Sequence, residues 1–130
     1  MTWARDNFIA LDHVQLAMPA GEEAKARAFY GGVLGMSELV KPPVLAAKGG
    51  AWFAGGDGAG VQLHLGVEDG FSPARKAHPA VLVADIDGLA ERLEEAGHPP
   101  RWDDDLPGTR RLFCHDPFGN RLEFTEGMAD

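Results

Sequence analysis

Four segments of the sequence each carry one potential metal ligand on the polar side of a predicted β-strand. Successive side chains of a strand point to opposite faces of its sheet, so alternation separates the polar side chains from the apolar ones. The apolar faces need helices to cover them, which leaves the polar faces free to gather around one point. The four candidate ligands are His13, Gln62, His78 and Glu123.

These four side chains form a mixed nitrogen and oxygen ligand set without a thiolate. Such a set suits borderline divalent ions (Zn, Ni, Co, Mn or Fe) and does not discriminate among them. A metal-bound carbonyl acidifies the neighbouring C–H because the ion stabilises the enolate oxygen, and the carboxylate of Glu123 is a candidate carrier of that proton. The alternative is a sheet whose polar face is simply hydrated.

Other side chains are candidates for catalysis or for substrate binding. His64 lies two residues beyond a candidate ligand and faces the same way, so it is an alternative ligand, a partner of a ligand, a general base or a bystander. Gln15 and Arg121 also point to the polar side, and Arg121 suits bidentate binding of a substrate carboxylate. Trp52 and Trp102 are candidates for contact with a ligand, although each is also typical of a core position.

The composition restricts the classes of partner. A chain of 130 residues fits one compact domain, and its net charge of -8 argues against non-specific binding to nucleic acid. Neither a signal pattern nor an apolar run of membrane-spanning length is present in the sequence. The single cysteine, Cys114, has no intramolecular disulfide partner and is expected to be a packing residue. We therefore expect a cytoplasmic protein without nucleic-acid or membrane partners.

Turn residues and hydrophobic periodicity indicate two helices among short strands. The first helix is predicted over residues 21–34 and is ended by Gly35. The second begins with Asp85 as its N-cap, and Gly97 followed by Pro99 ends it. Strands are predicted over residues 11–18, 36–41, 50–54, 60–65, 78–83, 101–103, 110–115 and 120–125.

The two halves of the chain repeat one pattern: a strand, a helix ended by glycine, and three further strands. Repeated βαβββ units indicate duplication, and each unit is too small to bury its own apolar face. The units are predicted over residues 9–66 and 77–126. The connecting residues 67–76 are a linker, a lid or an interface arm.

Particular motifs resemble those of the vicinal oxygen chelate superfamily, also called the glyoxalase/bleomycin resistance/dioxygenase superfamily. Leu11-Asp-His-Val-Gln-Leu-Ala-Met-Pro19 and Ala28-Phe-Tyr-Gly-Gly-Val-Leu-Gly35 resemble its first module. His78-Pro-Ala-Val-Leu-Val-Ala-Asp85 and Asp116-Pro-Phe-Gly-Asn-Arg-Leu-Glu-Phe124 resemble the start and end of its second module. The resemblance, over residues 11–124, implies an α+β fold in which two βαβββ modules form an incomplete mixed β-barrel with the helices outside.

The resemblance also implies roles for particular residues. In metal-using members, the first and last strands of each module supply one ligand each, which corresponds to His13, Gln62, His78 and Glu123 here. This set is similar to that of methylmalonyl-CoA epimerase-type members, whereas glyoxalase I-type members more often have an acid at position 62. The implied function is a metal-dependent lyase or isomerase, acting through a metal-stabilised enolate on a small oxygen-rich metabolite. Glu123 or His64 would carry the proton.

The superfamily also includes metal-free proteins that bind or sequester small molecules, of the bleomycin-resistance type. This is the alternative function, and it would make the divalent ion dispensable. Small members commonly dimerise, and two half-open sheets leave strand edges to cover. We therefore expect a homodimer with two-fold symmetry and a small molecule as the other partner.

Overall fold

Eight β-strands form two four-stranded sheets in the computed structural model, which describes residues 2–56 and 60–127. The first sheet has the order β1-β4-β3-β2 and the second the order β5-β8-β7-β6. In each sheet the outer strand β1 or β5 runs parallel to its neighbour, and the other pairs are antiparallel. The strands are β1 (Val14–Met18), β2 (Ser37–Leu39), β3 (Ala51–Gly55), β4 (Val61–Val67), β5 (Ala80–Leu82), β6 (Arg101–Asp103), β7 (Arg110–His115) and β8 (Arg121–Glu126).

The repeated topology confirms the α+β fold that the sequence predicts. We call β1–β4 with their helix the first module, and β5–β8 with theirs the second module. Among residues 2–56 and 60–127, no strand pairing joins the two sheets, so they do not close a barrel. Strands β1 and β5 each keep one edge without a partner strand in these sheets.

The helices lie where the sequence predicts them, with two additions. In the first module, α2 (Glu23–Ala26) continues into a π-helical segment (Arg27–Val33). In the second module, α4 (Ile86–Glu95) has Asp85 as its N-cap, whose carboxylate accepts the Gly88 N–H at 3.0 Å. Two short helices were not anticipated, namely α1 (Trp3–Asn7) and α3 (Pro43–Ala46).

One hydrophobic core unites both modules. Phe29 and Tyr30 of the first module and Leu93 and Leu112 of the second are all buried in the same cluster. This shared core is what the duplication requires, because a unit of this size cannot remove enough apolar surface from water alone. It leaves the opposite faces of the sheets available for polar residues.

A buried carboxylate, that of Asp116, holds the modules together at the turn between β7 and β8. Its Oδ2 accepts the Tyr30 hydroxyl at 2.7 Å and the Asn120 amide at 2.8 Å, and its Oδ1 accepts the backbone N–H groups of Phe118 and Asn120. The Asn120 amide also donates to the carbonyl oxygen of Ala17 in β1, at 2.8 Å. Burial, and then the nearby Asp116 carboxylate, raise the pKa of Tyr30 well above its usual value.

Candidate functional site

A cleft of about 790 Å³ lies between the unpaired edges of β1 and β5. His13 and Gln62 line it from the first module, and His78 lines it from the second. Phe71, in the segment between the modules, also lines the cleft. Each module therefore contributes polar side chains to one opening, and the linking segment forms part of its wall.

The polar face of the first sheet carries a stack of three aromatic rings. The His64 ring lies between the His13 ring, at a centroid distance of 4.0 Å, and the Trp52 ring, at 4.3 Å. Both pairs are nearly parallel, with interplanar angles of 11° and 10°. Trp52 lies opposite His64 in the ladder between β3 and β4, so the register of the sheet produces the stack. His64 is consequently only 5% exposed.

Hydrogen bonds assign different roles to the nitrogen atoms of His64 and His13. The Nε2 of His64 donates to the Gln62 Oε1 at 3.0 Å, since an amide oxygen can only accept. The Nδ1 of His13 donates to the Asp12 carboxylate at 2.9 Å, which leaves its Nε2 with a free lone pair. Burial, and then the nearby His13, lower the pKa of His64, which favours a neutral ring.

Gln15 sits beside this stack. It pairs with His64 in the ladder between β1 and β4, and its Nε2 donates to the Leu16 carbonyl oxygen at 3.3 Å. A side chain at Gly66 would overlap the Gln15 amide, so the glycine makes room for it. The structure thus brings Gln15 to the same face as His64, as strand parity predicts.

The second module presents His78 and Glu123 as a contacting pair. The His78 Nδ1 lies 2.7 Å from the Lys76 carbonyl oxygen, which can only accept, so this nitrogen carries the hydrogen. In a neutral imidazole the Nε2 lone pair then points at the Glu123 Oε1, 2.9 Å away. Two lone pairs at this distance repel unless a proton or a cation shares them. Metal-binding histidines are typically held this way, with the other ring N–H on a backbone carbonyl.

Arg111 is a neighbour of this pair that the sequence reasoning missed. Its Nη1 lies 3.5 Å from the second oxygen of Glu123, and its Nη2 lies 3.1 Å from Asp103. Glu123 is only 8% exposed, so the contact is partly shielded from water. The alternation of β7 puts Arg111 on the same face as Phe113, and the pairing of Phe113 with Glu123 then brings Arg111 close to Glu123.

The remaining aromatic and basic candidates divide between the two faces of the second sheet. Arg121 lies over the Phe113 ring, 4.3 Å from its centroid, and lines the cleft. Trp102 pairs instead with Leu112, a core residue, and is covered by Arg110 at 5.1 Å. The structure therefore does not bring Trp102 to the face that carries Glu123.

Within one chain the four candidate ligands form two half-sites. We call His13 and Gln62 the first half-site, and His78 and Glu123 the second. Residues 2–56 and 60–127 contain no group of three or more His, Cys, Asp or Glu side chains close enough to hold a metal ion. The four-ligand site remains a prediction, and the described part of one chain does not group His13 with His78 and Glu123.

Cys114 belongs to the core and not to the site. It is 2% exposed, and burial raises the pKa of its thiol to about 12. A thiol with this pKa is almost fully protonated at neutral pH, and the thiolate is the nucleophilic form. The expectation that Cys114 is a packing residue agrees with this position.

Known proteins share the sequence pattern and the fold of this chain. The family model of the Glyoxalase/Bleomycin resistance protein/Dioxygenase superfamily matches residues 10–124. A glyoxalase family protein from Bacillus anthracis is 45% identical, with 93% of this chain and 98% of that chain covered and a TM-score of 0.86. No curated protein sequence matches the chain significantly. None of the helices in the described ranges is long and apolar enough to cross a membrane.

Two more distant structures share the fold. The fosfomycin resistance protein FosX from Listeria monocytogenes is 18% identical, over 93% of this chain and 95% of that one, with a TM-score of 0.71. TnmS3, an antibiotic binding protein from Streptomyces sp. CB03234, is 26% identical, over 92% and 99%, with a TM-score of 0.66.

Proposed function

The chain belongs to the Glyoxalase/Bleomycin resistance protein/Dioxygenase superfamily, and we propose that it is a metal-dependent enzyme of the glyoxalase-like class. Its reaction would be an isomerase or lyase reaction on a small oxygen-rich metabolite. The observation that carries the proposal is the tautomeric state of the two candidate ligand histidines. His13 and His78 both use Nδ1 as a donor, to a carboxylate and to a backbone carbonyl. This leaves the Nε2 of His13 free and directs the Nε2 of His78 at the Glu123 Oε1.

The donor set fits a divalent ion. His78 and Glu123 direct a nitrogen and an oxygen lone pair toward each other at 2.9 Å, and a cation is one of the two species that would stabilise this contact. His13 and Gln62 would complete a set of two nitrogen and two oxygen ligands, which suits Zn, Ni, Co, Mn or Fe. An ion bound there would stabilise negative charge on a substrate oxygen.

We propose that a second copy of the chain completes the site. The half-sites lie beside β1 and β5, whose outer edges have no partner strand in the two sheets. A symmetric dimer that placed β1 of one copy beside β5 of the other would cover both edges and form two equivalent sites. Each copy, residues 1–130 with modules 9–66 and 77–126, would then act as one glyoxalase-like domain.

The chain's own residues would move the proton and bind the substrate. Glu123 is the proposed proton carrier, because its second oxygen faces Arg111 and the first faces His78. His64 has both ring faces covered and its Nε2 committed to Gln62, so we assign it the positioning of the first half-site. Gln15 and Arg121 line the cleft where a substrate would enter.

Calorimetric titration of the chelated protein with Mn²⁺, Ni²⁺ or Zn²⁺ tests the metal. We expect stoichiometric binding that His78→Ala and Glu123→Gln each weaken more than about a hundredfold, since the first removes a ligand and the second replaces the one anionic ligand by a neutral amide. His115→Ala and Glu126→Gln are matched controls outside the proposed ligand set and should bind as the wild type does. A folded wild-type protein that binds none of these ions would rule out the metalloenzyme.

Mixing two inactive variants tests whether the site is shared. His13→Ala and Glu123→Gln should each fail to bind the ion alone. If ligands come from two copies, a one-to-one mixture forms heterodimers with one intact site, and about a quarter of the wild-type stoichiometry returns. A mixture that forms heterodimers without recovering any binding would show that one chain supplies all the ligands.

A metal-free binding protein is the second candidate function, and the lining of the cleft favours it. Leu16, Val61, Phe71 and Val81 line the cleft beside the polar groups, as expected of a small-molecule site. TnmS3, at 26% identity, is an antibiotic binding protein. Thermal stabilisation by uncharged aromatic ligands that persists in His78→Ala, in a protein that binds no ion, would support this function.

A further inference from the structure

The arginines of the chain fall into two groups according to their partners. Most contact a carboxylate or a backbone carbonyl, as in the pairs Arg27–Glu38 and Arg110–Asp87. Arg75, Arg101 and Arg121 have no hydrogen bond or ion pair within residues 2–56 and 60–127, although the chain has an excess of acidic side chains. All three line the same cavity, of about 480 Å³.

Among the described residues, those that line the cavity include three arginines and no carboxylate side chain. Besides the three arginines, the wall consists of Pro99, Phe113, Cys114 and His115. Strand register gathers the groups, because Phe113 pairs with Arg101 and His115 pairs with Arg121. Arg121 lies over the Phe113 ring at 4.3 Å, which restricts the plane of its guanidinium group.

We infer that this cavity binds a phosphate-type oxyanion. A guanidinium group offers several N–H donors in a planar fork that matches oxyanion geometry, and it always carries its charge. Three such groups supply more charge than one carboxylate would neutralise, which favours a dianionic tetrahedral group over a simple acid. The absence of an acidic partner leaves these donors available to a ligand.

The cavity adjoins the cleft. Arg121 lines both, and the Phe113 ring centroid lies 5.4 Å from that of His78. An oxyanion bound here could belong to a substrate whose remainder extends toward His78 and Glu123. Only this last step rests on the proposed function, because oxyanion binding requires no metal.

Titration of the chelated and the untreated protein with inorganic phosphate, followed by calorimetry and amide NMR shifts at constant ionic strength, tests the inference. We expect saturable binding in both samples, weakened about tenfold in Arg101→Gln and in Arg121→Gln, because each loses a charge-assisted contact. Arg27→Gln, which removes an arginine already paired with Glu38, should bind phosphate as the wild type does. Equal losses in all three variants, or shifts that sodium chloride reproduces, would overturn the inference.

A further pair of variants separates this inference from the metal site. Arg101→Gln should weaken phosphate binding about tenfold and keep metal binding, whereas His78→Ala should lose metal binding and keep phosphate binding. Glycerol phosphate distinguishes the source of the anion: tighter binding than inorganic phosphate indicates a substrate group, and weaker binding indicates a free anion. Arg101 makes no hydrogen bond or ion pair within residues 2–56 and 60–127, so its substitution should change the unfolding temperature little.

Discussion

The polar faces of the two modules have the same strand order and very different chemistry. In the first module, His64 lies between two other rings and donates to the amide of Gln62, and the outer His13 ring donates to the exposed carboxylate of Asp12. In the second, His78 contacts the carboxylate of Glu123, which also faces Arg111. The same backbone pattern thus presents stacked rings on one side, and on the other a buried carboxylate between a histidine and an arginine. In the proposed metal site, the second module would supply the charge for binding an ion and the first module would supply orientation.

Asp116 is the residue whose loss should separate the two modules most. Asp116→Ala would leave the Tyr30 hydroxyl and the Asn120 amide without their buried acceptor, at a cost of about 4 kcal/mol in the free energy of unfolding. Urea denaturation followed by tryptophan fluorescence measures this change. Asp105→Ala, at an exposed position, is the control and should cost little. A loss of less than about 1 kcal/mol would show that the modules do not depend on this network.

The stability of both modules should fall at alkaline pH, because each module buries one ionisable group whose pKa is raised. The pKa of Cys114 in the second module is raised from 9.0 to about 12, and that of Tyr30 in the first is raised above 10.0. Both groups ionise first in the unfolded chain, so stability is fully present below pH 9 and falls as the pH rises toward 12. Each group contributes a slope of about 1.4 kcal/mol per pH unit within its window.

Urea denaturation at several alkaline pH values measures these slopes. Cys114→Ala should flatten the dependence from pH 9 upward, and Tyr30→Phe should flatten it only above pH 10. The comparison uses slopes, so the lower absolute stability of either variant does not affect it. Variants that keep the wild-type slope would show that these two groups ionise as readily in the folded protein.

Adding a negative charge to the first half-site tests whether its uncharged ligands limit divalent affinity. Gln62→Glu adds an anionic ligand while keeping an acceptor for His64, so we expect divalent affinity to rise about tenfold. Calorimetry with Mn²⁺ measures the change, and Gln15→Glu, on the same face, is the control. An unchanged affinity would exclude position 62 from the metal site and assign binding to the second half-site alone.

The smallest expected effect concerns the packing around Gln15. Gly66→Ala would displace the Gln15 amide and cost about 1 kcal/mol or less in unfolding free energy. Gly60→Ala, where an added carbon meets no neighbour within 4 Å, is the matched control. If both variants have the same stability as the wild type in urea, the first module tolerates more movement of its polar face than the stack suggests.

Strand parity predicted the faces of several side chains, whereas His13 and His78, predicted to lie within strands, precede β1 and β5. Parity assigned His64 and Gln62 to the polar face of the first sheet, and Glu123 and Arg121 to the polar face of the second. It could do so because alternation along a strand is a local property. The Asp85 cap was predictable for the same reason, since the capping side chain lies three residues from the N–H that it accepts.

The features that parity missed depend on contacts between strands or between modules. Arg111 meets Glu123 through sheet register, which the sequence of β7 alone does not give. Strand β6 has only three residues, Arg101, Trp102 and Asp103, so its pattern could not indicate which face is polar. The separation of the half-sites depends on how the modules dock, and long-range contacts such as Tyr30–Asp116 decide that docking.

The contact between Asn120 and Ala17 has a consequence for the order of folding. Its partners are 103 residues apart, and those of the Tyr30–Asp116 bond are 86 apart. During synthesis, the buried hydroxyl of Tyr30 and the Ala17 carbonyl therefore gain their partners only after Asp116 and Asn120 have been made. Closing such long loops is slow, so the growing chain exposes the apolar side of the first sheet until then. A ribosome-bound chaperone would find its binding surface there.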